Sequence, residues 1–407
     1  MKTGKERISA LPLNDITHLG GIAQQAQHEA EMAGIRLPPP LRLHIGEPGF
    51  RTPEHICQAA IEAVQTLPLT YGPPAGWPWL RELLAEKIAR VNGYRVGPEH
   101  TAVTIGGTGA LLSTLLATVG PGDEVLIPDP HWPQYTMQMG TCGATGVPYP
   151  LNPANQWLPD VTMLESLLTS RTRMLLINSP ANPTGAVFPR ELVAQLLDFA
   201  RRHDLYLLSD ECYDEIIFEG EHVSPAALLE PDEFESGRVI CVYTFSKTYA
   251  MTGWRIGYVV TGAQLLKTIA CVVYASYTNV NILAQKAAAA ALTGPQDCVA
   301  EMRAGYQRRR DLAVAILREH GRYFYTPHGS FYILVDARWP DGRPRAGRTL
   351  AQDLLRERNV TVAPGSGFGS VAENYVRVSL AGAEDEIAQG LQELCLFAAR
   401  AVEHKSD

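Results

Sequence analysis

The alternation of helical and extended patterns constrains the fold of this chain more than any other feature of its sequence. From about residue 52, stretches with apolar residues at helical spacing alternate with short runs rich in β-branched and apolar residues. Short apolar runs separated by helices are typical of parallel strands buried on both faces. The pattern therefore predicts an α/β protein in which helices cover a mostly parallel sheet. The predicted strands are residues 103–105, 124–127, 173–177, 205–208, 239–243 and 256–261.

The length and a late change of pattern predict more than one domain. At about 150 residues per domain, the 407 residues suggest two or three domains. After about residue 296, a basic helix, whose arginines at 308–310 are expected to face solvent, precedes a strand at 331–335 and a closing helix from Glu384. The large domain is expected to begin with a helix capped by Thr52, with Pro53 as its first residue. The predicted units are an N-terminal arm with part of the small domain (1–51), a large domain (52–295) and a small C-terminal α+β domain (296–407).

Charge and hydropathy argue against several classes of protein. Lys and Arg total 35 against 43 Asp and Glu, a net charge of −8, whereas a dedicated nucleic-acid binder is usually basic. Residues 1–17 hold no apolar segment of the signal-peptide type, and no run approaches the ~18 apolar residues of a membrane span. We therefore expect a cytoplasmic protein with neither nucleic-acid nor membrane partners. Seven scattered cysteines without a Cys-x-x-Cys pair predict no metal site and no disulfide framework.

A glycine-rich turn between a predicted strand and a helix is a candidate phosphate site. Gly106, Gly107 and Gly109 follow the first predicted strand, so backbone N–H groups and the helix dipole could receive a phosphate there. A dinucleotide-binding fold uses the same device, but Leu112 stands where its Gly-x-Gly-x-x-Gly fingerprint needs the last glycine. Taken alone, the turn is equally well explained as an ordinary strand-to-helix connection.

A lysine follows another predicted strand, in the segment Thr-Phe-Ser-Lys-Thr-Tyr-Ala-Met-Thr-Gly-Trp-Arg-Ile-Gly at 244–257. Considered singly, Lys247 and Arg255 are most simply solvent-facing side chains. A lysine held away from water beside hydroxyls and an arginine has a second interpretation, a Schiff-base nucleophile next to an anion site. Motifs elsewhere in the chain favour this second interpretation.

The lysine segment resembles the lysine motif of the pyridoxal-phosphate aminotransferases of class I/II. The resemblance implies fold type I, similar to aspartate aminotransferase: a mostly parallel seven-stranded sheet sandwiched by helices, with a smaller α+β domain. It also implies pyridoxal 5'-phosphate (PLP) as the cofactor. Four further motifs match the family in the family's order along nearly the whole chain: Gly46-Glu47-Pro48 with Thr52-Pro53, Asn182-Pro183-Thr184-Gly185, Ser209-Asp210-Glu211-Cys212-Tyr213 and Tyr375-Val376-Arg377-Val378-Ser379.

The resemblance assigns the reaction chemistry to Lys247, Asp210 and Tyr213. Lys247 is implied to form a Schiff base with PLP and, once released, to move the Cα proton of the substrate. Asp210 is implied to pair with the pyridinium nitrogen and keep it protonated. Tyr213 and Asn182 are implied to hydrogen-bond the 3′ oxygen of the ring, and Trp132 to stack on the ring.

Other residues are implied to bind the phosphate, the substrate and a second subunit. Arg377 is implied to hold the α-carboxylate in a bidentate contact, with Asn182 and the Gly46 N–H beside it. Tyr71 resembles a tyrosine that reaches the cofactor phosphate of the neighbouring subunit, which implies a homodimer with shared active sites. The implied phosphate ligands are Gly107, Thr108, Gly109, Thr244, Ser246 and Arg255.

These assignments imply transfer of an amino group from an L-amino acid to a 2-oxo acid by a ping-pong mechanism. The aspartate-using bacterial branch has a lysine at the position of Thr108, which puts aspartate in doubt as the preferred donor. Carbon–sulfur β-lyases use the same lysine and aspartate, and the motifs near Lys247 do not separate them from transaminases. A nicotinamide-dependent dehydrogenase built on the glycine turn is a remote alternative. So is a regulator of this fold, because two domains leave no room for a DNA-binding module.

Overall fold

The computed structural model describes residues 38–400 and, before them, only positions 8, 11, 21 and 32. Most of the predicted N-terminal arm therefore lies outside the described residues. The described chain forms an eight-stranded sheet, a three-stranded sheet and a two-stranded ladder. In chain order the strands are β1 (Leu41–Arg42), β2 (Thr101–Thr104), β3 (Glu124–Asp129), β4 (Thr145–Asn152), β5 (Leu158–Pro159), β6 (Thr172–Asn178), β7 (Tyr206–Asp210), β8 (Val239–Thr244), β9 (Gly257–Val260), β10 (Tyr332–Asp336), β11 (Val360–Thr361), β12 (Ala363–Pro364) and β13 (Tyr375–Ser379).

The eight-stranded sheet has the spatial order β2-β9-β8-β7-β6-β3-β4-β5. Strands β3, β4, β6, β7 and β8 pair in parallel, whereas β9 is antiparallel to β2 and β8, and β5 is antiparallel to β4. The inner strands β3 and β8 are buried along their whole length. The prediction of an α/β protein with a mostly parallel sheet is therefore confirmed. All six predicted strands occur, and the two-residue β5 extends the sheet to eight strands.

Strand β4 is absent from the sequence prediction because its segment carries Pro148 and Pro150, which argue against an inner strand. The structure explains how the prolines are accommodated. Over residues 145–150, β4 pairs only with β3, and β5 joins its other side only at Leu151 and Asn152. Two prolines spaced two residues apart place their nitrogens on the same side of a strand. They are compatible with this segment because that side is an open sheet edge.

Helices cover the sheets, and the closing helix begins at Glu384 as predicted. No helix within residues 38–400 is long and apolar enough to cross a bilayer. The α-helices of the described chain are α1 (Glu54–Thr66), α2 (Pro78–Lys87), α3 (Gly106–Thr118), α4 (Gln134–Cys142), α5 (Val161–Glu165), α6 (Arg190–Arg202), α7 (Pro231–Glu235), α8 (Phe245–Thr248), α9 (Ala263–Tyr277), α10 (Ile282–Thr293), α11 (Asp297–Glu319), α12 (Gly347–Arg358) and α13 (Glu384–Ala398).

The predicted cap of the first helix is wrong. Helix α1 starts at Glu54 with Pro53 at the capping position, and no side chain caps it. The Thr52 hydroxyl donates instead to the carbonyl oxygen of Ala250, at 2.7 Å. This long-range hydrogen bond competes with the local one, and a local sequence pattern cannot reveal it.

The expectation that the arginines of α11 face solvent is wrong for two of the three. Arg308 is exposed, but Arg309 and Arg310 are buried. The Arg309 guanidinium lies 4.6 Å from the Phe50 ring centroid and donates to the carbonyl oxygen of Ala381. Arg310 donates to Glu219 and to the carbonyl oxygen of Pro327. The charge of each buried guanidinium is thus balanced by an aromatic face or an acid.

The second sheet is small and antiparallel. Strand β13 pairs with β10 on one side and with β12 on the other, and all three come from residues 332–379. Nearby, β1 pairs in parallel with β11, so the segment before α1 joins this late part of the chain. The arrangement brings β13 and the end of β1 to the carboxyl edge of the main sheet, where the candidate site lies.

Candidate active site

A cavity of about 370 Å³ lies at the carboxyl ends of β6, β7 and β8 and at the start of α3. Ligand sites of open α/β sheets commonly occupy this edge. Two sequence-predicted site residues lie outside the lining. Gly109 is buried inside α3, and the Tyr71 side chain is 85% exposed on the surface. The predicted residues that line the cavity are Gly46, Gly107, Thr108, Trp132, Asn182, Asp210, Tyr213, Thr244, Ser246, Lys247, Arg255 and Arg377.

Lys247 enters the cavity from α8, the short helix that begins directly after β8. Its Nζ donates to the carbonyl oxygen of Gly46 at 2.7 Å and lies 6.0 Å from the centroid of the Tyr213 ring. None of the described carboxylates forms an ion pair with Lys247. The amine is therefore positioned by one neutral acceptor, and it is the only amine among the described residues that line the cavity.

Asp210 ends β7 and is buried. One carboxylate oxygen accepts a hydrogen bond from the Tyr135 hydroxyl, and the other accepts from the backbone N–H of Cys212 at 3.1 Å. Burial raises the pKa of the Asp210 carboxyl, and these hydrogen bonds offset part of the rise. Because no described cation pairs with it, the carboxylate is suited to accept a hydrogen bond from a cationic N–H group of a ligand.

Replacing Asp210 with asparagine is expected to stabilise the protein in the absence of cofactor. A carboxyl whose pKa is raised on folding destabilises the folded state at pH values above that raised pKa, and the penalty disappears below its unfolded pKa. We expect Asp210→Asn to increase the free energy of unfolding at pH 7. Urea denaturation measured from neutral to acid pH checks this prediction.

The gain should shrink as the pH falls through the raised pKa of Asp210, because the wild-type carboxyl becomes neutral there. Asp198→Asn is the matched control, since Asp198 is exposed. A gain for Asp210→Asn that is independent of pH would contradict this account of the buried charge.

The sequence analysis missed Tyr135, whose hydroxyl contacts Asp210. Tyr135 is fully buried in the first turn of α4, and its ring lies 5.6 Å from the Trp132 ring in a T-shaped contact. The sequence feature that could have pointed to Tyr135 is its spacing, since it carries a hydroxyl about one helical turn after Trp132. Only the structure shows that this hydroxyl reaches Asp210, because their positions are 75 residues apart.

Trp132 lies between β3 and α4, on a segment that is hydrogen-bonded to the connection between β12 and β13. Asp129, at the end of β3, accepts hydrogen bonds from the Ser370 backbone N–H at 3.0 Å, from the Ser370 hydroxyl at 2.7 Å and from the Val371 N–H at 3.2 Å. The His131 N–H donates to the carbonyl oxygen of Phe368 at 2.7 Å. These contacts fix the half-buried Trp132 ring at the wall of the cavity.

Arg377 projects from β13 and is buried, although no described carboxylate pairs with it. Its Nη1 donates to Asn182 Oδ1 at 3.0 Å, its Nη2 donates to the carbonyl oxygen of His44 at 2.6 Å, and its Nε has no partner. Burial lowers the pKa of the guanidinium. A buried guanidinium without a counter-ion is costly, so the arrangement favours binding of an anion such as a carboxylate.

Two further residues around Arg377 were absent from the sequence analysis. The guanidinium lies 4.3 Å from the ring centroid of Tyr332, whose hydroxyl is 2.9 Å from that of Tyr213. Burial, followed by Arg42 and Arg377, lowers the pKa of His44 to about 4, so its imidazole is neutral near pH 7. His44 therefore adds no second charge beside Arg377.

The start of α3 forms an anion cradle. A side chain at Gly107 would meet Cys212 Sγ at 2.7 Å, and one at Gly106 would meet the Arg255 guanidinium at 2.8 Å, so the backbone packs closely against these side chains here. The exposed Arg255 faces this turn. The hydroxyls of Thr244 and Ser246 lie 2.9 Å apart, and both residues also line the cavity. A helix start, a guanidinium and two hydroxyls are suitable donors for a phosphate dianion.

The residues present fit PLP. The cradle suits its phosphate, the Asp210 carboxylate suits its ring nitrogen, and the Lys247 amine suits its aldehyde. No group of His, Cys, Asp and Glu within the described residues is arranged to hold a metal ion.

The chain belongs to the aminotransferase class I and II family, whose model matches residues 38–394. It is 39% identical to the aspartate/prephenate aminotransferase of Thermus thermophilus over 364 residues, which is 88% of this chain and 91% of that protein. It is 35% identical to the arginine–pyruvate transaminase of Pseudomonas aeruginosa over 364 residues, 88% of this chain and 90% of that protein. A solved structure of the Thermus thermophilus aspartate aminotransferase with maleate superimposes with a TM-score of 0.89 at 36% identity, covering 98% of this chain and all of that one. The protein is therefore an aminotransferase.

Proposed function

We propose that this aminotransferase binds PLP at the cavity and moves the amino group of an L-amino acid to a 2-oxo acid by a ping-pong double displacement. The observation that carries the proposal is the convergence of Lys247, Asp210 and Arg377 on one cavity beside an anion cradle. When bound, PLP supplies an aldehyde that condenses with amines and a ring that accepts the electron pair left on Cα. Everything else in the reaction is the work of the protein's own residues.

Lys247 is proposed to hold the cofactor and to transfer protons. Its Nζ would hold the aldehyde end of PLP and, once released, would take up the proton from Cα of the substrate. Its hydrogen bond to the Gly46 carbonyl oxygen gives the free amine a defined position in the cavity. Asp210 is proposed to accept a hydrogen bond from the ring nitrogen and to keep that nitrogen protonated.

Tyr213, Asn182 and Trp132 are proposed to orient the ring. Burial raises the pKa of Tyr213, so its hydroxyl is protonated at neutral pH and can donate to the 3′ oxygen. Asn182 Oδ1 already accepts from Arg377, which leaves its Nδ2 as the donor toward the ring. Trp132 supplies an aromatic face. Arg377 and the Gly46 N–H are proposed to receive the α-carboxylate. The phosphate ligands are proposed as Gly107, Thr108, Thr244, Ser246 and Arg255, whereas Gly109 lies outside the cavity lining.

The test is an absorption spectrum of the purified protein, followed by titration with L-amino acids and then with 2-oxo acids. A visible Schiff-base band that amino acids bleach and oxo acids restore would support the proposal. A carbon–sulfur lyase would instead release pyruvate from cystathionine without any oxo acid. The transaminase names of the relatives favour transfer over elimination.

We also propose that the protein is a homodimer with shared active sites. The residues around Tyr71 expose large apolar side chains: Ile61 is 48% exposed, Val64 53% and Leu69 58%. Ile61 and Val64 lie three residues apart on α1 and so share a face of that helix. An exposed apolar surface of this kind is typical of a subunit interface.

Two inactive variants should complement each other if Tyr71 acts in the partner's site. When equal amounts of Lys247→Ala and Tyr71→Ala subunits are mixed and allowed to exchange, half of the dimers are hybrids with one intact site, which predicts about a quarter of wild-type activity. Lys247→Ala mixed with Arg377→Ala is the matched control. It should recover nothing, since both residues line the same cavity of one chain. Equal recovery in the two mixtures would contradict a shared site.

The domain division and the location of the protein are also proposals. The strands of the eight-stranded sheet all come from residues 101–260 and those of the three-stranded sheet from 332–379, which supports a large domain at 52–295 and a small one at 296–407. The arm at 1–51 is proposed to pack with the small domain through β1. None of the seven cysteines, all of which lie within residues 38–400, forms a disulfide, which is consistent with the reducing cytoplasm.

A further inference from the structure

The proposed function assigns no role to Tyr332, although this residue lines the cavity. Tyr332 begins β10 and is only 2% exposed. In the antiparallel ladder Leu334, two residues after Tyr332, pairs with Arg377 of β13. Since side chains two residues apart on a strand share a face, Tyr332 and Arg377 are diagonal neighbours on one face of the small sheet.

The ring of Tyr332 packs against the proposed carboxylate site. Its centroid lies 4.3 Å from the Arg377 guanidinium, and the Phe368 ring lies 4.7 Å from the same group. A Cβ atom at Gly46 would lie 2.1 Å from Tyr332 Oη, so the outer end of the ring packs against the Gly46 backbone. Packing therefore sets the position of the ring, and a phenylalanine would occupy the same place.

The hydroxyl of Tyr332 contacts a different part of the site. Its oxygen lies 2.9 Å from the hydroxyl oxygen of Tyr213, and neither hydroxyl has another hydrogen-bonding partner among the described residues. Each phenol carries one proton, so only one of the two can donate to the other. Because Tyr213 is proposed to donate its proton to the 3′ oxygen of PLP, its own oxygen is left to accept from Tyr332.

We infer that Tyr332 is a positioning residue whose hydroxyl donates to Tyr213 and thereby directs the Tyr213 proton toward the 3′ oxygen of the cofactor. Hydrogen bonds in such a chain polarise one another, so Tyr213 becomes a stronger donor. This inference rests on the proposed function, because it requires PLP in the cavity. The charged and titratable groups around the two hydroxyls are Arg377 on β13, Lys247 on α8 and Cys212 after β7.

The experiment follows the visible Schiff-base band of the cofactor-loaded protein as a function of pH. The 3′ oxygen carries its largest negative charge when the Schiff-base nitrogen is unprotonated, so a donor at this oxygen lowers the pKa of the band. Tyr213→Phe should raise that pKa by about one pH unit, the equivalent of one hydrogen bond. Tyr332→Phe should raise it by about a third as much.

The same variant should leave the carboxylate site intact. Tyr332→Phe keeps the aromatic face against Arg377, so the dissociation constant of an unreactive carboxylic acid should stay within about twofold of the wild-type value. Calorimetric titration of the protein with that acid measures it. A shifted band with unchanged carboxylate binding assigns the effect to the hydroxyl and not to the ring.

A double-mutant cycle tests whether the effect passes through Tyr213. In the Tyr213→Phe background, Tyr332→Phe should cause no further shift, because no hydroxyl remains to be directed. Tyr325→Phe is the matched control and should leave the band unchanged. Tyr325 is buried outside the lining of this cavity, and its hydroxyl accepts from the backbone N–H of Leu334 on the same strand β10.

Three results would overturn the inference and leave the aminotransferase proposal standing. The first is a pKa of the band that Tyr332→Phe does not change. The second is a shift of the same size with and without the Tyr213 hydroxyl. The third is an equal shift in Tyr325→Phe, which would assign the effect to the packing of β10. If the wild type forms no Schiff-base band with PLP, the proposed function fails as well.

Discussion

Replacing Lys247 with alanine is expected to lower turnover by at least about 10³-fold, because no other amine lines the described cavity to hold the cofactor or to carry the Cα proton. The fold should survive the change. Lys247 makes one hydrogen bond, to the carbonyl oxygen of Gly46, and no described residue forms an ion pair with it. Thermal denaturation of the variant should therefore resemble that of the wild type.

The role of Lys247 can also be measured without turnover. Borohydride reduction of the wild type in the presence of PLP should add the mass of the cofactor to the peptide that contains Lys247, and the visible band should disappear. Lys267→Ala is the matched control, since Lys267 is an exposed lysine on α9. It should retain both the band and the activity. Turnover in Lys247→Ala close to that of the wild type, or an adduct on a different lysine, would contradict the assignment.

The sequence could predict the parts of this molecule that depend on neighbouring residues in the chain. The anion cradle follows from a strand, a glycine turn and a helix start in that order, and the structure has β2, Gly106 and α3 there. Asp210 lies at the end of one short apolar run, which forms β7. Lys247 closely follows another, which forms β8. Since parallel strands end at the same edge of a sheet, both residues meet at one cavity.

The sequence could not predict features that depend on contacts between distant segments. The hydroxyl of Tyr135 reaches Asp210, and the carbonyl oxygen of His44 accepts from Arg377, 333 residues away. The burial of Arg309 and Arg310 has the same origin, because a helical run of arginines resembles a solvated surface until aromatic and acidic partners from other elements are in place. The resemblance to a known family assigned the proposed reacting groups, and the structure shows which distant residues contact them.

Replacing Arg377 with alanine is expected to lower kcat/KM for amino acids by about 10²-fold, because a carboxylate loses its charge-assisted partner in a buried site. Arg377→Lys should recover only part of the loss, since an ammonium keeps the charge but not the planar fork. Arg356→Ala is the matched control, because Arg356 is exposed on α12 and pairs with Asp353. Steady-state kinetics with several donors, together with the dissociation constant of an unreactive carboxylic acid, check the prediction.

A donor without an α-carboxylate separates this role from a structural one. If Arg377 acts by receiving the carboxylate, Arg377→Ala should slow bleaching of the Schiff-base band by an amino acid but leave bleaching by a simple primary amine at the wild-type rate. If it instead holds the cavity together through Asn182 and His44, both donors should slow to the same extent. Position favours the first result: Arg377 lines the cavity, whereas the buried Arg309, whose Nε is likewise unpartnered, does not.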